Sequence, residues 1–426
     1  MRQGISAETR RTEYLYCQEH VKASPGRTLF GMTNESTATL HLKADRDRSL
    51  KRRHPWILSG AVAKVDGDPQ PGDTVRVFAA GGTQLASAFY SPFSALRARV
   101  WSFDPEVEIN AAFISETINK SVARRQAYPE LSHTCRLIFG DADGLPGLTV
   151  DRYGEVAVLE INSVGIERWR DAVVSTLMKV DGITCVYERS DGADREREGL
   201  TVRNGLAAGV LPANVYAVEG NEKYIVNVEE GHKTGFYIDQ RDSRALVAKM
   251  ASGLRVLNVF GYTGSFGIVA AKNGAASVTT VESSGPALEL AKQNAELNGV
   301  DVGEVIEGDA FEVLRRMRDR RAEFDLIILD PPKYSASAKH IERATRKYKD
   351  INLIGTKLLA PGGKLMTFSC SQTMDADLFQ KVVAGAALDA KRDLQIIQRL
   401  GQPIDHPVYL HFPESEYLKG LLLQAD

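Results

Sequence analysis

The sequence predicts an α/β protein whose C-terminal half is a doubly wound, mostly parallel sheet. Three observations carry that prediction. From about residue 220, short apolar runs alternate with helix-length amphipathic segments. Polar residues able to do chemistry close several of those runs: Glu282, Asp309, Asp330 and Cys370. Residues 38–108 show the opposite pattern, short alternating runs between turn residues, which indicates a separate small β-barrel.

The chain has 426 residues, enough for two or three domains and a large core. Hydrophobic residues make up 43% and charged residues 25%, an ordinary soluble composition. A net charge of −2 excludes a polycation, so any nucleic-acid contact must come from local patches. The four cysteines, Cys17, Cys135, Cys185 and Cys370, form no C-x-x-C pair. That argues against a structural zinc site or a disulfide framework and suits a reducing, cytoplasmic setting. No apolar run approaches membrane-spanning length, and the N-terminus lacks an apolar signal core.

In chain order, residues 1–37 are polar and patternless and read as a flexible extension; Met32 would also serve as a start. A basic, helix-like segment from Lys43 to Arg53 precedes His54-Pro55-Trp56. Residues 43–54 hold six Lys or Arg against two Asp. This is a solvated face or, more sharply, a patch for backbone phosphates through Arg52 and Arg53. Strand-like runs follow at Thr74–Phe78, Ala86–Tyr90 and Leu96–Trp101. Residues 109–219 read as a mixed α/β region. It holds a helix from Ile109 to Gln126, strands at Leu148–Asp151 and Val156–Ile161, and a helix from Ile166 to Lys179. A charged loop from Asp194 to Glu198 follows. Its pattern assigns it no chemistry.

From 220 to 426 the expected strands are Leu254–Val259, Val278–Glu282, Val305–Gly308, Asp325–Asp330 and the run ending at Cys370. The expected helices are Gly264–Asn273, Pro286–Leu297, Ala310–Arg318, Ile341–Leu359 and Asp375–Asp389. Pro286 near the start and Asn298-Gly299 at the end punctuate the second of these. Two closing runs, Val408–His411 and Tyr417–Gln424, would add an antiparallel strand.

The turn after the first of these strands reads Phe260-Gly261-Tyr262-Thr263-Gly264-Ser265-Phe266-Gly267. Its glycines permit a tight turn and close approach of a ligand, although turn glycines alone would also explain them. Glu282, 18 residues after Gly264, can take the two hydroxyls of a ribose. Asp309, before Ala310, could reach an adenine amino group, and Asp330 closes the next strand. Three acids at successive strand ends, with no phosphate-binding lysine loop, suggest a nucleoside bearing a sulfonium, S-adenosylmethionine.

Asp330-Pro331-Pro332-Lys333-Tyr334 forms a stiff turn whose aspartate and carbonyls could seat a planar base, with Tyr334 either stacked on that base or a core aromatic; a rigid turn is the plainer reading. Cys370 separates the possible reactions. Carbon 5 of a pyrimidine becomes nucleophilic only after a thiolate adds at carbon 6, whereas an exocyclic amine needs no thiol. A cysteine is often just a small buried residue. A thiol of ordinary pKa needs a cation to ionise it, and Lys333 or the basic helix could supply one.

Residues from about 38 onward resemble the bacterial large-subunit ribosomal RNA methyltransferase I family, cytosine-5 enzymes of 23S rRNA. The resemblance rests on Leu50-Lys51-Arg52-Arg53-His54-Pro55-Trp56, Gly144-Leu145-Pro146-Gly147 and the long run Gly231 to Arg244. It continues in Asp330-Pro331-Pro332-Lys333, Tyr348-Lys349-Asp350-Ile351-Asn352 and Phe368-Ser369-Cys370-Ser371. It implies an N-terminal PUA domain (38–108), a central domain (109–219) and a Rossmann-like methyltransferase domain (220–426). It also implies a homodimer, Cys370 as nucleophile, and Lys233, Gln240 and Arg241 beside the cofactor pocket. The expected partner is 23S rRNA or an assembling large subunit, with neither metal nor membrane involved. The 37-residue extension is not part of the family pattern. Lys333 stands where another branch of cytosine-5 RNA enzymes has a second cysteine, so the base that removes the carbon 5 proton cannot be borrowed from that branch. Lys339, Arg343, Arg346, Lys347 and Lys349, opposed only by Glu342, are expected to meet RNA phosphates.

Overall fold

The computed structural model describes residues 38–334 and 340–426. The expectations for the extension and for Lys339 therefore lie outside the described residues.

The N-terminal part is a six-stranded sheet in the order Trp56–Leu58, Leu96–Ser102, Gln84–Tyr90, Thr74–Phe78, Thr39–Leu42, Val62–Asp66. Alternation along its strands buries Leu40, Leu42, Val75, Val77, Ala88 and Val100 in one cluster. The second sheet runs Arg203–Gly209, Cys185–Ser190, Val156–Ile161, Leu148–Tyr153, Thr134–Phe139. Helix Ala111–Gln126 lays Ile114, Ile118 and Val122 onto it, one apolar stripe at helical spacing. Its start is fixed by the Asn110 side chain, which accepts from Phe113 N.

The C-terminal sheet has seven strands: β1 Arg255–Val259, β2 Ser277–Glu282, β3 Glu304–Glu307, β4 Phe324–Leu329, β5 Leu359–Ser369, β6 Leu394–Leu400 and β7 Lys419–Ala425. Their spatial order is β3-β2-β1-β4-β5-β7-β6. β1 to β5 are parallel; β7 runs antiparallel to both β5 and β6. Central parallel strands are covered on both faces, which is why β4 reads as a continuous apolar run with Leu326 to Leu329 at 0% exposure. Each such side chain contributes about 1.5–3 kcal/mol over its exposed state. The order reverses between β1 and β4, and in open α/β sheets the crevice beyond that point holds the ligand.

Several sequence expectations fail locally. The basic segment 43–53 is helical only at Arg48–Lys51. Asp45 and Arg53 adopt φ of 61° and 62°, and Pro55 excludes helical geometry at His54. The helix expected over 166–179 divides into Val164–Glu167 and Arg170–Leu177. The charged loop at 194–198 is a short helix, Ala193–Arg197. The run at 408–411 forms only an isolated bridge between Tyr409 and Phe412, and Leu410 is 87% exposed. The partner of β7 is instead β6, an edge strand with five consecutive exposed residues and no readable alternation. Thr134–Phe139, Arg203–Gly209 and the hairpin Tyr216–Glu219 with Glu222–Ile225 were not anticipated. Arg203–Gly209 contains two glycines and only the short run Leu206-Ala207-Ala208.

Candidate active site

The chain leaves β1 through Phe260 to Gly264. Phe260, Tyr262 and Gly264 take φ of 61°, 46° and 83°. Two non-glycine residues at positive φ within three positions mark stored strain, common at ligand clamps. A Cβ on Gly261 would lie 2.4 Å from Thr280 Cγ2, so only glycine fits there. Glu282, at the end of β2, accepts from Tyr262 N at 3.0 Å, Ser283 N at 2.7 Å and Ser284 N at 2.9 Å, which fastens the turn to its neighbouring strand. Asp309 caps the helix Ala310–Asp319 by accepting from Glu312 N at 3.1 Å. Phe266 is buried, its ring centroid 6.4 Å from that of Phe368.

Thr263 Oγ1 and Asn258 Nδ2 are buried at this turn without a partner among the described residues. Buried polar atoms left so ordinarily have a ligand or water to meet. With a glycine-lined turn, Glu282, and Asp309 at the next strand end, the residues fit a ribonucleoside that carries no phosphate.

Asp330 follows β4, and the pairing of Leu329 with Thr367 sets it beside the end of β5. It accepts from Gln240 Nε2 at 3.0 Å. Burial, then the nearby Asp239 carboxylate, pushes its pKa up to about 7, against the opposing pull of Lys233 and Gln240. Asp239 accepts from Lys233 Nζ at 2.7 Å and from the Tyr417 hydroxyl at 2.6 Å. Burial disfavours its charge, yet Lys233, His406 and those two bonds hold it well below the usual carboxylate range. The two acids thus divide: Asp239 stays ionised and Asp330 readily takes a proton.

Cys370 directly follows β5 and is partly exposed. Burial raises its pKa, and Asp330 and Asp239 add to the rise; Lys233 and Lys333 oppose it. Around it, Tyr348 and Ser371 hydroxyls lie 3.1 Å apart, and Lys419 Nζ donates to the Ser371 carbonyl at 2.8 Å.

The structure brings Lys233, Gln240, Asp330 and Cys370 together. Arg241 turns away from that group, donating to Thr134 O at 2.7 Å and pairing with Asp405 at 3.1 Å. Lys333 is exposed after the two prolines. Tyr334 packs edge-on against Tyr348 at 4.9 Å, and its buried hydroxyl has no partner among the described residues. Arg343, Arg346 and Lys347 are exposed on helix Ile341–Lys357, while Lys349 pairs with Asp389 at 2.8 Å. Lys347 Nζ lies over the Tyr334 ring at 5.1 Å. Arg52 and Arg53 are exposed.

Asp239, Tyr417 and Lys419 were missed. Asp239 lies inside the long run Gly231 to Arg244, a signal that could have found it. The other two enter only through the antiparallel β7 and the segment before it.

Among the described residues no cluster of His, Cys, Asp or Glu could hold a metal ion, and no helix is long and apolar enough to cross a membrane.

A sheet in this order, with acids at the ends of β2, β3 and β4 around a glycine turn, defines an S-adenosylmethionine-dependent methyltransferase. Comparison with known proteins agrees. The family model for S-adenosylmethionine-dependent methyltransferases matches residues 208–423, and that for a PUA-like domain matches residues 40–103. The chain is 48% identical over 392 residues to ribosomal RNA large subunit methyltransferase I of Shewanella denitrificans, covering 91% of this chain and 99% of that one. It is 45% identical over 395 residues to the protein of that name in Aeromonas hydrophila, covering 91% and 100%. Among solved structures, a methyltransferase complexed with SAH superposes with a TM-score of 0.80 at 23% identity, covering 91% of this chain and 99% of that one, a likeness of fold. The chain belongs to the ribosomal RNA large subunit methyltransferase I family.

Proposed function

We propose that the chain methylates carbon 5 of a specific cytosine in the 23S RNA of the large ribosomal subunit through a covalent adduct on Cys370. The observation that supports this most is the pairing of β4 with β5, which sets Cys370 beside Asp330 at the switch point of the sheet. The names of the relatives support the substrate class.

Bound S-adenosylmethionine supplies an electrophilic methyl group. Phe260, Gly261, Thr263, Gly264, Phe266, Glu282, Asp309 and Ala310 would hold it, with Lys233 and Gln240 fixing the acids beside it. Protonated Asp330 donates to cytosine N3, which makes carbon 6 electrophilic. Its neutralisation also removes the negative charge that most opposes a Cys370 thiolate. The Cys370 sulfur bonds to carbon 6, and the electron pair released reaches carbon 5, which takes the methyl group. Loss of the carbon 5 proton to a base then expels Cys370 as the thiolate and restores the ring.

Arg343, Arg346, Lys347 and Lys349, with Lys339 before them and Arg52 and Arg53 in the N-terminal sheet, serve the RNA backbone. The target base leaves its stack to enter the pocket. In this reading residues 38–108 bind RNA, 109–219 join the parts and 220–426 carry catalysis, in a cytoplasmic homodimer acting on rRNA or an assembling subunit.

RNA bearing 5-fluorocytosine tests the mechanism, because the carbon 5 fluorine cannot leave as a proton and the adduct persists. The wild type should form a covalent band that Cys370→Ala lacks. Full methyl transfer by Cys370→Ala, with no adduct from the wild type, would mean nitrogen methylation instead.

A further inference from the structure

Lys419 is the first residue of β7 and lies opposite Ser369, the residue before Cys370. It is 6% exposed. Its Nζ donates to the carbonyls of Ser371 at 2.8 Å and Tyr417 at 2.7 Å, and the carboxylates that act on it, Glu416 and Asp375, do so through space without a hydrogen bond. A buried ammonium so placed is unusual, since carbonyl dipoles repay only part of the lost hydration. The missing partner is an anion, and the ionisable group beside it is the Cys370 thiol.

We propose that Lys419 is a positioning residue that brings Cys370 to its thiolate form, its ammonium held on β7 by two carbonyls as the standing countercharge. This rests on the reading of Cys370 as nucleophile. The thiol proton leaves to water and no bond to Lys419 forms. The other cations near Cys370 serve this role less well. Lys233 is already neutralised by Asp239 at 2.7 Å, and Lys333 is solvent-exposed, where its field is screened. The charged groups facing Lys419 are Cys370, Glu416 and Asp375, which favour its protonated state, and Lys333, which disfavours it. Those facing Cys370 besides Lys419 are Asp330 and Asp239, which oppose its thiolate, and Lys233 and Lys333, which favour it. Burial, the largest influence, brings the lysine itself down to about 8, so it remains charged at neutral pH.

The test is the neutral-pH rate of Cys370 alkylation by iodoacetamide, followed by peptide mass spectrometry on the full chain without RNA. Lys419→Met keeps the length and removes the charge. It should slow alkylation at neutral pH, where Lys419 is charged, about tenfold, with S-adenosylmethionine affinity retained. Lys419→Arg should return the neutral-pH rate most of the way. A neutral-pH rate unchanged in Lys419→Met overturns the proposal. Should Lys419→Met melt early, Lys419→Gln takes its place. The readout follows the thiol and not methyl transfer, so it separates this inference from the cytosine-5 reading: slowed neutral-pH alkylation with methyl transfer that survives Cys370→Ala would discard only the latter.

Discussion

At the scale of single residues, the division between Asp239 and Asp330 decides the chemistry. An aspartate raised to about 7 holds a proton in the folded state that the unfolded chain, with a pKa near 4, has lost. Stability from this group is therefore full below about pH 4 and is lost as pH rises through about 7. Asp330→Asn removes that dependence. The variant should be more stable than wild type at about pH 8, by roughly 2 kcal/mol after allowance for partial solvent contact, and little different at about pH 4. Urea denaturation at the two pH values checks this. The same variant should lose methyl transfer about 100-fold or more, because a neutral amide cannot switch between proton donor and carboxylate. Wild-type turnover should fall on the alkaline side of about 7 as Asp330 ionises.

Secondary elements explain where these residues could be read in advance and where they could not. Glu282, Asp330 and Cys370 were legible because each closes a buried strand, and buried parallel strands announce themselves as apolar runs; Asp309 follows β3, which has no buried residue, and was legible from the amphipathic helix it caps. Lys419 was not, because β7 reaches the site by pairing with β5, and no local pattern encodes that pairing. Nor was β6, whose two wet faces erase the alternation that identifies strands. The turn after β1 is the element most exposed to substitution. In Gly264→Ala the new methyl would sit at φ 83°, with Ala291 Cβ at 2.9 Å. It should cost about 1–3 kcal/mol in stability and weaken S-adenosylmethionine binding about tenfold or more, both measurable by thermal shift and calorimetry. On helix Ile341–Lys357, Arg343→Glu should weaken RNA binding similarly for all sequences and lower the salt dependence by about one counterion, as filter binding across a salt series would register.

Across the whole molecule, residues 401–418 tie the three sheets together. Asp405 accepts from Arg136 N at 2.9 Å in the second sheet and pairs with Arg241 at 3.1 Å; its carbonyl accepts from Arg125 at 2.8 Å. Farther along, Glu414 meets His54 at 3.1 Å and Phe412 packs on Trp56 at 4.8 Å, both in the N-terminal part. Tyr417 then reaches Asp239 beside the site. The failed strand at 408–411 belongs here: its exposed apolar residues misled, while the segment's buried contacts, both polar and aromatic, are distant in sequence. Asp405→Ala would leave Arg241, the Arg136 backbone N–H and the His406 ring without their carboxylate partner. It should destabilise the protein by about 3–5 kcal/mol, seen as a lower melting temperature.

β7 lies between β5 and β6 but is translated after both. While the ribosome is still making the segment that follows β6, β5 has an unpaired margin and Cys370 has neither Lys419 nor Tyr417 near it. Insertion of β7 therefore shields an adhesive sheet margin and equips the thiol in one event.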